Sequence, residues 1–310
     1  MHKGDKGLKF RLAIFLRGVA MGAADVVPGV SGGTIAFITG IYDQLIDSLK
    51  NCDLTALRLL FSAGPAEMWR HINGNFLLSL MLGICFSVLS LARGISWALE
   101  THPVPLSAFF FGLILASALL VYRQAPRSRL QPVYLLLGVA LALLIAVVRP
   151  GEVPVTGLTV FAAGALAICA MILPGISGSF ILLLLGMYEP VINAIKTLDF
   201  AMLAIFVAGC ATGLLLFVRL LSYMLHHFRG PLLAWLTGVL LGSLAIIWPW
   251  KLGAAGGVAS SDHNLDWHNV LPGHYGEYAD PQLLLCFSVM AFGIVVVVSL
   301  EKIAEKFAAS

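Results

Sequence analysis

The sequence predicts an all-α polytopic membrane protein. It is read as two inverted repeats, each a broken re-entrant hairpin plus two spanning helices, with an unmatched linking span between them and a C-terminal span after them. Three observations lead there. Hydrophobic residues make up 59% of the 310-residue chain and charged residues only 11%, against about 25% charge in soluble domains. One glycine-rich stretch occurs twice. Lysine and arginine are spread unevenly over the loops.

The first repeat is placed at 1–131. Residues 1–24 begin basic and turn apolar, but Arg17 interrupts the apolar region and the repeated motif follows at once. That argues against a cleaved secretory signal, so Leu8–Ala24 is read as an interfacial helix feeding a hairpin over about 8–46. Asp43–Gly74 is polar, with a short amphipathic piece at Leu54–Phe61. Spans are expected at Phe76–Leu99 and Leu106–Tyr122, separated by the tight turn 101–105, and a basic loop follows at Arg123–Gln131. Pro132–Val148 is an apolar run long enough to cross hydrocarbon when little tilted. It finds no partner in the repeat and becomes the linking span. The second repeat, 149–250, holds a hairpin at Thr156–Ile195 and spans at Phe200–Leu225 and Pro231–Trp248. A polar external loop, Lys251–Asp280, leads to the last span, Pro281–Leu300, and a charged tail.

The repeat is legible residue by residue. Residues 174–192 align with 28–46 without gaps, and eight of the 19 positions are identical: Pro28/Pro174, Gly29/Gly175, Ser31/Ser177, Gly32/Gly178, Ile35/Ile181, Gly40/Gly186, Tyr42/Tyr188 and Ile46/Ile192. Asp43 faces Glu189. The match resumes at a shorter offset with Gly83/Gly209, Arg93/Arg219, Ser96/Ser222, Gly112/Gly238 and Ser117/Ser243.

Orientation follows from the basic residues. With a cytoplasmic N-terminus and each hairpin entering and leaving on one side, 14 of the 19 lysines and arginines are cytoplasmic, as the positive-inside rule requires. Both termini are then cytoplasmic, and the two hairpins enter from opposite faces. Their tips are expected to approach each other within the membrane.

Each hairpin should break at its tip. Pro28 and Pro174 lack an amide hydrogen and crowd the preceding turn, and Gly29 and Gly175 follow them. Such a break survives in hydrocarbon only when it is buried in protein or lines a wet cavity. The second half-helix of each hairpin would start near Ser31 or Ser177, a plausible N-cap. Free amides and the positive dipole end make a helix start an anion site. Ser31, Gly32, Gly33 and Thr34, with Ser177, Gly178 and Ser179, are therefore the candidate phosphate-binding residues. The competing reading is that the glycines only allow close helix packing.

Ionisable residues within membrane segments are functional candidates by default. Arg93 and Arg219 sit at matched positions in matched spans, and an arginine fork suits a phosphate. The alternative is that each snorkels to an interface. Asp25 precedes the first tip and could carry a proton or an ion, or cap the helix locally. Glu189 closes the second hairpin and is a weaker ion-coupling candidate. The histidines of the outer loop, His263, His268 and His274, match no metal motif, so no metal and no cofactor is expected. The five cysteines are scattered singly and imply no disulfide framework.

The stretch M-G-A-A-D-V-V-P-G-V-S-G-G-T and its echo I-L-P-G-I-S-G-S resemble the PopT family of bacterial undecaprenyl-phosphate translocases over nearly the whole chain. The resemblance implies a flippase that returns undecaprenyl phosphate from the outer to the cytoplasmic leaflet of the bacterial inner membrane, for reuse in peptidoglycan and other cell-wall polymers. The partners it implies are that polyprenyl phosphate and the surrounding lipids. No nucleic acid is expected, and homo-oligomerisation is left open. Two alternatives stay beside it. Undecaprenyl-pyrophosphate phosphatases share the P-G-x-S pattern, but their signature arginine is glycine in both copies here, and no intramembrane E-x-x-x-E pair is present. Ester cleavage would call for that arginine and a general acid or base. The third reading is a transporter or channel for a small anion.

Overall fold

A computed structural model describes residues 3–25, 31–126, 128–147, 153–253 and 267–308. The first half opens with α1 (Lys3–Asp25), α2 (Gly32–Ile38) and α3 (Tyr42–Lys50). The short helices α4 (Leu54–Ser62) and α5 (Pro65–His71) follow, and then the long α6 (Gly74–Thr101), α7 (Pro103–Gln124) and α8 (Gln131–Val147). The second half runs α9 (Gly157–Ile172), α10 (Gly178–Leu184), α11 (Tyr188–Thr197), α12 (Phe200–His227) and α13 (Arg229–Ser243). After a two-stranded ribbon, β1 (Lys251–Gly253) and β2 (Trp267–Asn269), come α14 (Pro272–Tyr275) and α15 (Leu283–Ala308).

The chain is a helical membrane protein. Three helices, α6, α7 and α12, are long and apolar enough to cross a bilayer. A fourth span arises if α10 and α11 are taken as one segment bent by 106°. The helices α8, α9 and α15 contribute shorter apolar stretches. The loop after α13 holds more structure than the sequence suggests. Its ribbon is antiparallel, Leu252 opposite His268, and Trp248 and Trp250 donate their indole N–H groups to the carbonyls of Val270 and Pro281 at 2.8 and 3.0 Å.

Helix contacts are made by glycine, and the same contacts occur twice. On α6, a Cβ at Gly83 would lie 2.1 Å from the Phe15 carbonyl oxygen of α1, and one at Gly209 of α12 would lie 2.1 Å from the Phe161 carbonyl oxygen of α9. Phe15 and Phe161 are matched positions at the hairpin's own offset. In the same way Gly18 abuts Leu80 and Gly164 abuts Phe206. Only a residue without a Cβ allows backbones this close.

Duplication extends to the linking span. Gly112 of α7 meets the backbone of Met290 in α15, and its sequence match Gly238 of α13 meets the backbone of Leu135 in α8. In return Gly293 of α15 meets the Phe109 carbonyl, and Gly138 of α8 meets the Trp235 carbonyl. The span that sequence comparison leaves unmatched therefore has a structural counterpart in the C-terminal span. Each packs on the second span of the opposite half. The pairing escapes the sequence because few identities beyond Gly138/Gly293 carry it.

Each hairpin has a second break. After α2 the chain turns at Gly40 with φ +71°, and after α10 at Gly186 with φ +66°. These left-handed positions favour glycine, which is why the pair Gly40/Gly186 is identical in the two copies. The descending limb is thus a short half-helix, fully buried in α2 and only partly in α10, followed by an amphipathic helix, α3 or α11.

Candidate functional site

The two tips touch. Pro28 and Gly29 lie outside the described residues, but both edges of the first break are defined. Ser31 N-caps α2, its hydroxyl accepting from the Gly33 amide at 3.1 Å. That hydroxyl also reaches the second hairpin, donating to the Met171 carbonyl at 2.9 Å, with the Leu173 carbonyl at 3.2 Å. The Gly175 amide donates to the Thr34 hydroxyl at 3.0 Å, and the Tyr42 hydroxyl donates to the Ile172 carbonyl at 3.3 Å. A Cβ at Gly33 would lie 2.5 Å from the Ile172 carbonyl oxygen. Ser31, Thr34, Tyr42 and Ser177 are all buried. The break at Pro174-Gly175 leaves Gly175 at φ +89°, a conformation that favours glycine.

The start of α2 is already occupied. Asp25, at the end of α1, accepts the Gly32 amide on Oδ1 at 2.6 Å. A Cβ at Gly32 would lie 2.6 Å from its other carboxylate oxygen. The contact of Asp25 observed here is a local cap. A carboxylate on the first amide of a helix gains from both the orphan donor and the dipole.

The start of α10 is different. The position matching Asp25 is Met171, and among the described residues no carboxylate bonds the start of α10. Ser177 precedes α10 in extended conformation but makes no side-chain cap. Its hydroxyl is 2.8 Å from the Ser179 hydroxyl. Gly178 packs against the Ala167 carbonyl. The second tip therefore offers two hydroxyls and a helix start with no side-chain cap.

The remaining candidates are not gathered at the tips. Arg219 is exposed on the outside of α12. Arg93 lies on α6, and its side chain is outside the described residues. Glu189 is exposed on α11, in the wall of an open hollow of about 630 Å³ lined also by Tyr188, Pro190, Ile192, Asn193 and Lys196. Among the described residues no group of three or more His, Cys, Asp or Glu side chains could hold a metal ion.

Sequence reasoning missed a polar cluster on the other amphipathic helix. Arg229 donates to Asp43 at 2.6 Å. Ser222 donates to Asp47 at 2.9 Å and stands 3.2 Å from the ammonium of Lys50. The available signal was the i, i+4, i+7 stripe Asp43, Asp47, Lys50 on one helix face.

Two half-helices that start at touching tips inside an apolar bundle are the arrangement found in membrane transporters that use broken helices. The sequence comparisons narrow that class. Residues 21–264 match the VCA0040-like family, described as undecaprenyl phosphate translocase-like, and the chain belongs to that family. It is 47% identical over 300 residues to a polyprenyl-phosphate transporter of Vibrio cholerae serotype O1, covering 95% of this chain and 97% of that one. It is 34% identical over 260 residues to a polyprenyl-phosphate transporter of Staphylococcus aureus, covering 78% and 87% respectively. No solved structure matches this chain.

Proposed function

We propose that this protein carries undecaprenyl phosphate from the outer to the cytoplasmic leaflet of the bacterial inner membrane and releases it uncleaved. The names of its relatives supply the polyprenyl phosphate. The difference between the two tips supports a place for its phosphate at the second. At the first tip a carboxylate oxygen rests on the Gly32 amide. At the second, Ser177, Gly178 and Ser179 repeat that helix start with Met171 in place of the carboxylate. A phosphate oxygen on the α10 amides, with the two serine hydroxyls as further donors, meets the same chemistry that Asp25 meets on α2.

Arg93 and Arg219 belong to this proposal as matched cations on α6 and α12. A lipid phosphate arriving from the bilayer with its tail in hydrocarbon passes the outside of α12, where Arg219 is exposed. Each arginine hands the headgroup to or from the tips on its own side. The inverted arrangement also belongs here. With α6, α7 and α8 each taken as one crossing, three crossings turn the second half over relative to the first. The glycine at the position of the phosphatase arginine supports movement without cleavage.

Binding tests the seat. Purified protein in nanodiscs is offered undecaprenyl phosphate, undecaprenol and inorganic phosphate. The lipid phosphate should bind far more tightly than either part. Ser177→Ala and Ser179→Ala should each weaken it by roughly 10- to 100-fold, since a hydrogen bond to a charged group contributes ~1.5–3 kcal/mol. Undecaprenol binding as tightly as its phosphate would move recognition from the tips to the tail.

A further inference from the structure

The long-helix packing of the two halves is duplicated, but the contacts of the short helices are not. The contacts of α1 with α6 and of α7 with α15 recur as α9 with α12 and α13 with α8. The contact of α3 with α12 does not recur. On α3 the stripe Asp43, Asp47 and Lys50 is clasped to the second half. Asp43 takes Arg229 at 2.6 Å, Asp47 takes the Ser222 hydroxyl at 2.9 Å with His226 at 3.8 Å, and Lys50 donates to Ser222 at 3.2 Å. Ser222 is fully buried under this clasp, and so is Ile46 of α3.

The same stripe exists on α11. At the hairpin offset, Asp43, Asp47 and Lys50 become Glu189, Asn193 and Lys196. All three are exposed, and they line the open hollow of about 630 Å³. Among the described residues they make no hydrogen bond or ion pair across to α6. By sequence match α6 carries Ser96 where α12 carries Ser222.

We infer that the α3–α12 clasp is one of two alternating gates, closed in this structure, and that the stripe Glu189, Asn193 and Lys196 is the other, open here. A helix pair built twice, with Ser96 at the place of Ser222 although Glu100 and Pro103 stand where His226 and Arg229 do, and shut in one copy only, is what a two-state carrier presents when one side is sealed. Packed interfaces switch between discrete arrangements and do not deform continuously. In the opposite state α11 closes on α6 around Ser96, and the α3–α12 clasp opens. The gate is the means by which the carrier of the preceding reading exposes its tips to one side at a time, so it rests on that reading.

Two arms test it in full-length protein lacking native cysteines. Asp47→Cys with Ser222→Cys places thiols where side chains now hydrogen-bond, within reach of a disulfide. Oxidation should cut transport of undecaprenyl phosphate in liposomes by at least roughly tenfold, and a reductant should restore it. In the second arm Asn193→Cys is probed with an impermeant maleimide. Labelling should be rapid in the parent, and it should slow several-fold when Asp43→Asn and Asp47→Asn loosen the clasp and let the other state fill. Cross-linked protein that still transports at the reduced rate overturns the gate, and so does labelling of the Asn193→Cys thiol that ignores the clasp variants. If the reduced protein moves no lipid, the transport reading fails by itself, and the labelling arm still decides whether the two faces alternate.

Discussion

The amide of Gly175 donates to the hydroxyl of Thr34 at 3.0 Å, joining the tips of two hairpins 141 residues apart in sequence. The bond is buried and one-sided. At the position matching Thr34 the second copy has Phe180, which cannot return it. Thr34→Val should therefore leave the Gly175 amide unpaired and cost about 1–3 kcal/mol of stability. Thr34→Ser should retain most of it. Denaturant unfolding of the detergent-solubilised variants reads the difference.

How far this arrangement can be read from sequence depends on the range of the interaction that makes it. The tip breaks are local: Pro174 with Gly175 inside an apolar run disfavours a continuous helix, and the structure breaks there. The second break at Gly40 and Gly186 was visible as an identity, but a lone glycine inside an apolar run does not announce a left-handed turn. The contact of Asp25 with Gly32 needs the chain to fold back, and the clasp of Asp47 with Ser222 spans 175 residues. The first was legible only as one of several readings of Asp25, and the stripe Asp43, Asp47, Lys50 marks a helix face without naming its partner. The equivalence of α8 and α15 rests on backbone contacts at Gly138 and Gly293, which almost any apolar neighbour can satisfy.

That equivalence predicts a matched pair of effects. A Cβ at Gly138 would lie 2.1 Å from the Trp235 carbonyl oxygen, and one at Gly293 would lie 2.5 Å from the Phe109 carbonyl oxygen. Gly138→Leu and Gly293→Leu should each force a helix pair apart and destabilise by about 1–3 kcal/mol, as overpacking does. Substitution at Gly94, where a Cβ meets nothing within 4 Å, should be tolerated. Thermal unfolding of all three variants compares them directly.

Asp25 separates folding from phosphate handling. Asp25→Ala removes the acceptor of the Gly32 amide and should cost about 1 kcal/mol, the usual loss for a helix cap. Asp25→Asn keeps an acceptor and removes only the charge. It should fold normally and bind undecaprenyl phosphate more tightly, because a negative neighbour of the phosphate is gone, while turnover falls because release slows. Binding and transport measured on the same preparation test both halves of this expectation.

The arginines should matter unequally to affinity and specificity. Arg93→Ala or Arg219→Ala should weaken undecaprenyl phosphate binding by roughly 10- to 100-fold, the worth of a hydrogen bond to a charged group. Lysine should rescue only part of this, since it keeps the charge and loses the fork. The two losses should add nearly completely, because the arginines lie on different helices and serve different stages. Titration of the single and double variants with the lipid gives the comparison.

Translocation itself is the most direct measurement. Purified protein in sealed liposomes is given undecaprenyl phosphate in one leaflet, and its appearance in the other is followed together with any inorganic phosphate released. The account predicts saturable transfer of the intact lipid phosphate, lost in Gly33→Leu, where a side chain would meet the Ile172 carbonyl and part the tips. Transfer no faster than in empty liposomes would contradict it, as would inorganic phosphate appearing in step with lipid consumed.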